Sequence, residues 1–489
     1  MTGNYLPHGA EYIRILPEIV LCVFGIVLMM LEAVTSERQK PALGTLSAFA
    51  IVIAFLANLY SYTSSGQAFQ NMITVDGFGT FFRGLVLIVG FLCVLASFGY
   101  LRRERAETGE YYSLILFSLV GQCILSTAND LIMVFIGLEI SSIASYILAG
   151  FLRNDRRNNE SALKYFLLGS FATAFLLYGI AWIYGTTGST NLDEIRRVLG
   201  DQSLAPSAVI IGVAAALILV GFAFKISAAP FQIWAPDVYQ GASSPVSAFM
   251  SAGPKAAAFA VFVRVFMTAF PSLSARWVPL LWSIALLSMI VGNFAALTQS
   301  NVKRLLAYSS FAHAGYVLVA FTADSQLGVA AVMFYLASYA LMNIGAFVVI
   351  SHVASRHERY VRIEDLAGLA RREPATAALL AIFVFSLIGV PLTGGFFAKF
   401  YVFRAALNSH LVWLTVLGLI NSAIAAYYYL KIVVAMYMQE PGEATTHLSP
   451  LAPGTRVAMW ASALGVLLLG IFPSLLLSFV SQSAAPFGR

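Results

Sequence analysis

Charge is what this sequence has least of. Only 11% of its 489 residues are Asp, Glu, Lys or Arg, against 59% hydrophobic ones. A water-soluble domain carries about 25% charged residues, so that class is excluded. Cysteine is scarcer still. Cys22, Cys93 and Cys123 stand alone in apolar runs and form no C-x-x-C. Iron–sulfur and zinc sites need clustered ligands, so the three read as small apolar filler. No histidine pair is placed for haem, no Walker lysine motif or G-x-G-x-x-G opens a soluble domain, and no loop is long enough to hold one. Electron transfer and nucleotide chemistry are therefore not expected of this chain by itself. Alternating ten-residue segments, the mark of a transmembrane β-barrel, are also missing.

What is there is a series of continuous apolar runs near twenty residues, the length of a helical bilayer crossing. The mean hydropathy is +0.81. The expected fold is an all-α polytopic membrane protein with about 14 transmembrane helices. The spans fall near 12–33, 43–62, 78–101, 111–128, 130–151, 160–185, 206–236, 243–270, 277–298, 302–322, 326–353, 374–408, 410–437 and 455–480. The first apolar run, Ile15–Leu31, follows Arg14, lacks an A-x-A-like cleavage site and reads as an uncleaved span. Loops after odd-numbered spans hold sixteen Lys and Arg residues, among them Arg102, Arg103, Arg105, Arg153, Arg156 and Arg157; loops after even-numbered spans hold three, Arg196, Arg197 and Arg276. The positive-inside rule then puts the odd loops in the cytoplasm and both termini outside. Two loops hold short helices, one opened by Asn191 as an N-cap over LDEIRRVL, the other at Ile363–Leu369.

Spans seven and twelve exceed a bilayer's thickness and carry internal prolines, so each must tilt, kink or break. Breaks are expected at Ser227–Pro230 and at Pro391–Gly395, where Pro391, Gly394 and Gly395 stand in PLTGG. Spans four to eight and nine to thirteen are each five helices with the interrupted member fourth. Five is odd, so the two units have opposite topology, and paired broken helices in inverted repeats point to an ion site. The expected organisation is three helices over 1–110, a first repeat over 111–270, a second over 271–437 and a last helix over 438–489.

Ionisable residues inside spans default to a functional hypothesis, because charge is costly there. With span ends set aside, Glu139 near the middle of span five is the one carboxylate so placed, and Lys164 on the next span is its natural partner. Lys225 precedes the break at Pro230, and Lys255 follows Gly253-Pro254, read as a further helix break. Lys399 follows the break in span twelve. Buried lysines can gain and lose a proton near neutral pH, so these residues form a candidate path for a small ion, most simply the proton. His313 is either a relay between Lys255 and Lys399 or a hydrogen-bonded core histidine. Lys431 reads as snorkelling to the interface. Arg83, Arg264 and Arg404 read as anchors at outer span ends.

The stretch GFAFKISAAPFQIWAPDVYQGASSPVSAFMSAGPKAAAF, with LKYFLLGSFATAFLLYG, IEDLAGLARREP and PLTGGFFAKF, resembles the antiporter-like membrane subunits of respiratory complex I, the bacterial NADH–quinone oxidoreductase. The resemblance covers nearly the whole chain. It implies a subunit in which quinone reduction elsewhere in the complex drives proton transfer along a buried Glu/Lys/His axis. Glu139, Lys164, Lys225, Lys255 and Lys399 match the family's functional positions. It implies no cofactor in this chain, with NADH, FMN, iron–sulfur clusters and quinone in partner subunits, sister antiporter-like and small membrane subunits as neighbours, and a multi-pass place in the bacterial inner membrane with periplasmic termini. Two positions depart from the pattern: Gln232, where relatives commonly have histidine, and Gln240, where a glutamate is expected. A subunit of a multi-subunit cation/proton antiporter is the alternative, since it shares the helix architecture.

Overall fold

The computed structural model describes residues 8–36, 38–201, 207–446 and 448–488. In chain order it contains α1 (Gly9–Arg14), α2 (Leu16–Val34), α3 (Lys40–Tyr62), the strands β1 (Gly66–Ala68) and β2 (Ile73–Val75), α4 (Gly77–Glu104), α5 (Gly109–Thr127), α6 (Leu131–Ala149), α7 (Arg156–Thr187), α8 (Leu192–Gly200), α9 (Ala208–Lys225), α10 (Ala235–Gly241) and α11 (Ser244–Thr268). Then follow α12 (Ser274–Leu297), α13 (Val302–Thr322), α14 (Gln326–Val353), α15 (Leu369–Arg372), α16 (Pro374–Ile388), α17 (Gly394–Asn408), α18 (Val412–Met438), α19 (Glu443–Thr446), α20 (Pro453–Ile471) and α21 (Ser474–Ser483). The two strands pair antiparallel, with Gly66 opposite Val75.

Helix dominates because hydrocarbon offers the backbone no hydrogen-bond partner, so each crossing must satisfy its own N–H and C=O groups. Among the described residues, 12 helices are long and apolar enough to cross a membrane. Each of the expected spans coincides with a helix or a helix pair, but the count of fourteen is not reached on that criterion. α5 falls outside it, and span twelve is two helices of 15 residues each, α16 and α17. Asn191 caps α8 as expected, its side chain accepting from the Asp193 and Glu194 amides.

Three helices form the centre. The most apolar stretches of α11, α13 and α14 are each 94% buried, whereas those of α2, α7, α12, α18 and α20 leave most of their surface outward. A helix apolar all round and enclosed on all sides is a core helix. The buried lysines and the histidine therefore lie on or against this central trio.

Three expectations need correction. First, Gly253-Pro254 does not break span eight: α11 runs unbroken with Pro254 inside it. An interior proline costs about 3 kcal/mol, but α11 packs along its length against α4, α5, α6, α13 and α14. Gly253 is what lets it approach so closely, since a Cβ there would stand 2.6 Å from Gln122 Oε1. Second, Arg83 is no interfacial anchor. It is wholly buried, 2.6 Å from Glu18 of α2, and donates to the Arg14 carbonyl and to Thr127 Oγ1. Third, Arg264 is likewise buried and makes two 2.9 Å bonds to Asp76, the N-cap of α4. In both cases a carboxylate from another helix meets the guanidinium, and a paired, hydrogen-bonded charge is the form that burial tolerates.

Candidate functional site

The first break is longer than the sequence suggested, covering residues 226–234 between α9 and α10. Ser227 takes a left-handed φ of 58°. The freed backbone finds partners: the Ala228 amide bonds the Ala223 carbonyl, the Ala229 amide bonds Ser288 Oγ of α12, and Trp234 Nε1 bonds the Phe224 carbonyl. Protein cover of this kind is what allows irregular backbone at membrane depth.

Lys225 ends α9, and its ammonium turns to α6. It donates to Ser142 Oγ at 2.7 Å and Tyr146 Oη at 3.1 Å and lies 5.3 Å from the Tyr146 ring centre. Glu139, one turn earlier on α6, is within electrostatic reach of Lys225, and its Oε1 is buried with no hydrogen-bond partner. Beside Ser142 runs a cluster of small polar groups. Ser118 Oγ stands 3.2 Å from Ser141 Oγ and 3.3 Å from Ser145 Oγ, and it accepts from Gln122 Nε2 at 3.0 Å. Gln122 Oε1 is buried, unpartnered, and faces Gly253 of α11. Through Gln122 this cluster reaches α11, the helix that carries Lys255.

Lys255 is buried and bonds Ser310 of α13 through both the hydroxyl and the carbonyl oxygen, the latter at 3.2 Å. Tyr339 Oη donates to the same Ser310 hydroxyl at 2.9 Å. One turn along α13, His313 Nδ1 lies 2.7 Å from Tyr335 Oη, and Nε2 lies 3.2 Å from Tyr429 Oη. Tyr429 also bonds Ser309. Lys255 is on α11 and Lys399 on α17, and both of these helices pack against α13, which carries His313.

Lys399 sits at the second break. α16 ends at Gly389 with a left-handed φ of 95°, and α17 begins at Gly394. The Lys399 ammonium donates to the Leu387 and Ile388 carbonyls at 3.1 and 2.8 Å and to Ser422 Oγ of α18 at 2.7 Å. Those carbonyls are orphans of the α16 terminus, the negative end of its dipole, so a broken helix supplies the cation with a seat. The ammonium also lies 5.0 Å from the Tyr316 ring centre. A cavity of about 410 Å³ opens beside it, lined by Lys399, Ser422, Phe403, Arg404, Leu407 and Asn408.

The expected Glu139–Lys164 pair is absent. Lys164 instead lies 2.6 Å from both Glu160 and Asp237. Asn158, Ser161 and Lys164 share the face of α7 that meets α10, and two nearer carboxylates win the lysine. Gln240 accepts from Arg304, and Gln232 Oε1 is buried without a partner. Lys431 lies over the Tyr427 ring, and Arg404 is exposed beside the cavity at Lys399. Sequence reading missed Asp237, Tyr146, Tyr335 and Tyr429. The first is visible in APDVYQGA as an acid beside a broken helix. The tyrosines carry no signal of their own, because among 22 tyrosines only three-dimensional neighbours single them out.

Residues 128–425 match the family described as NADH:quinone oxidoreductase/Mrp antiporter, TM. The NADH-quinone oxidoreductase subunit N 1 of Solibacter usitatus is 61% identical, over 97% of each chain. A chain of respiratory complex I from Thermus thermophilus, solved with bound aureothin, is 35% identical with a TM-score of 0.81, covering 94% of this chain and 98% of that one. A chain of the Mrp complex from Dietzia shares the fold, with a TM-score of 0.84 at 19% identity. The chain belongs to the NADH:quinone oxidoreductase/Mrp antiporter family of membrane proteins and, within it, to the subunit N relatives of NADH-quinone oxidoreductase.

Proposed function

We propose that this chain is the proton-translocating subunit N of an NADH–quinone oxidoreductase, and that protons move along the line Glu139, Lys225, Lys255, His313, Lys399. The observation that carries the reading is that the last three meet on α13, which carries His313 and whose Tyr316 ring lies under Lys399. Lys255 bonds Ser310, His313 lies one turn on between two phenols, and Lys399 sits on an exposed helix terminus beside a cavity. Each lysine is bonded to neutral oxygen atoms rather than to a carboxylate. A lysine so held can release its proton without leaving a carboxylate stranded. Charge on Glu139 favours a proton on Lys225, and a proton on one site repels the next, which is the electrostatic coupling the function needs.

The echo between the two halves supports the inverted-repeat organisation over 111–270 and 271–437. α5 packs on α6 as α12 packs on α13. Lys225 at the first break lies over Tyr146 of α6, and Lys399 at the second lies over Tyr316 of α13. On this reading the cavity beside Lys399 is the release side, facing the periplasm, and both termini lie there too. Neighbouring membrane subunits transmit the charge, and NADH, FMN, iron–sulfur clusters and quinone belong to partner subunits. The membrane is the bacterial inner membrane.

The test is NADH-driven proton pumping in membrane vesicles carrying Lys225→Ala in the assembled complex, with NADH oxidation followed in parallel. Lost pumping and slowed oxidation with intact assembly are expected. Normal pumping at a normal proton-to-electron ratio would overturn the axis.

A further inference from the structure

Asp237 stands at the inner end of the first break, on α10, and it is a hub. Its Oδ2 accepts from Lys164 of α7 at 2.6 Å, and its Oδ1 accepts from Arg304 of α13 at 2.7 Å. Arg304 also donates to Gln240 of α10 at 2.9 Å and lies over the Tyr308 ring. Lys164 has Glu160 as its second partner. From α11, Ser247 bonds the Tyr239 carbonyl. One carboxylate thus joins a helix of the first repeat to a helix of the second.

Stability does not explain the arrangement. The Lys164, Asp237 and Arg304 side chains are 40%, 34% and 31% exposed, and pairs in that range contribute little. α10 is fixed without them, by the bonds from Asn158 and Ser161 and by the stacking of Trp234 on Tyr165 at 4.4 Å. What Asp237 adds is a charge relation. It occupies the lysine that the chain order would otherwise offer to Glu139. Tyr165, next to Lys164 on α7, has its ring centre 6.0 Å from the Lys225 ammonium.

We propose that Asp237 is a positioning residue of the proton path: it holds Lys164 away from Glu139, leaving Glu139 to Lys225, and through Arg304 it links the first repeat's charge state to the second. The inference rests on the axis read above. Without the Asp237 charge, Arg304 loses its carboxylate and Lys164 keeps only Glu160, so the net charge around the break that carries Lys225 becomes more positive by one.

The experiment compares Asp237→Asn, Asp237→Glu, Arg304→Gln and Lys225→Ala in assembled complex in membrane vesicles, measuring NADH-driven pumping and the pH profile of NADH–quinone turnover. With Asp237→Asn, coupled turnover is expected to fall about fivefold, the lower end of ordinary coupling between sites. The basic limb of the profile moves to lower pH, and Asp237→Glu restores at least half of the loss. A purely structural role would lower the amount of assembled complex without moving the profile, and that result overturns the inference. If Asp237→Asn does not assemble, Arg304→Gln decides: reduced coupling in assembled complex supports the link, and unchanged coupling overturns it. Normal pumping by Lys225→Ala overturns the axis and this inference with it. Normal behaviour of Asp237→Asn beside a deficient Lys225→Ala overturns this inference alone.

Discussion

His313 Nδ1 and the Tyr335 hydroxyl are 2.7 Å apart, deep between α13 and α14. With Tyr429 at 3.2 Å on the other ring nitrogen, the imidazole has a phenol at each end and can take a proton on one side while releasing one on the other. Acid–base groups of this kind typically contribute factors of about a hundred or more. His313→Leu is therefore expected to cut NADH-driven pumping by at least about tenfold, the discount reflecting water that can enter the vacated space. Tyr335→Phe, which leaves the Tyr429 contact, is expected to cost much less. Pumping assays on assembled complex check the order, and equal losses in the two variants would sink the relay.

The buried Arg83–Glu18 pair makes a stability prediction. Removing one partner of a buried pair strands the other, at a cost of about 3–5 kcal/mol, whereas replacing both by apolar residues is often close to neutral. Glu18→Gln should therefore lower the thermal stability of the solubilised protein sharply, and Glu18→Leu with Arg83→Met should recover most of it. Thr127 Oγ1 and the Arg14 carbonyl, which Arg83 also serves, keep the recovery short of complete. Thermal unfolding of the purified protein gives the comparison directly.

The chain order of helices and both broken spans were legible in the sequence, because hydropathy and proline placement act locally. Spans ten and eleven match α13 and α14 residue for residue. The partners of the charged residues were not legible. Lys164 looked destined for Glu139 because the two lie on adjacent helices, yet which face of α7 meets α10 is a matter of tertiary contact. Arg83 and Arg264 looked like anchors because they lie near span ends, and only the fold brings Glu18 and Asp76 to them. Pro254 looked like a break because local propensity says so, and the enclosure of α11 overrides it. The lysines themselves were found because a charge in an apolar run is conspicuous, while the hydroxyls that seat them are ordinary residues in ordinary places.

Gly395 offers a test of the second break. A Cβ on it would run into the Ser386 carbonyl of α16, and its amide donates to Ser386 Oγ at 3.0 Å. Gly395→Ala must push α17 away from α16 and carry Lys399 off the Leu387 and Ile388 carbonyls. A small overpacking change costs about 1–3 kcal/mol, so the variant is expected to assemble with reduced yield and markedly weaker pumping. Gly185→Ala is the control, because nothing lies within 4 Å of its added Cβ. Quantified assembly and pumping in both variants decide the matter, and wild-type pumping by Gly395→Ala would show that the close approach of the two half-helices is dispensable.

Glu358 predicts an acid-sensitive contact between the start of α11, α13 and the loop after α14. Its Oε1 accepts from the Ser244 amide at 2.6 Å, capping α11, and its Oε2 lies 2.5 Å from the buried Lys303 ammonium, which also donates to the Ala242 carbonyl. Burial alone would raise this carboxyl, but the Lys303 charge and the bonds from Lys303 and Ser244 outweigh it and hold it below the ordinary value of 4.5. A carboxyl lowered in the folded state contributes stability that is fully present above its unfolded pKa and is lost as pH falls through its folded one. The protein is therefore expected to be insensitive to this group between pH 7 and about 5, and to lose stability progressively below about 4.5. Glu358→Gln should be less stable than wild type at pH 7, because Lys303 is left buried beside a neutral amide, and its further loss on acidification should be smaller. Thermal unfolding between pH 7 and pH 4 measures both quantities. Parallel pH profiles for wild type and Glu358→Gln would assign the acid sensitivity to another carboxylate.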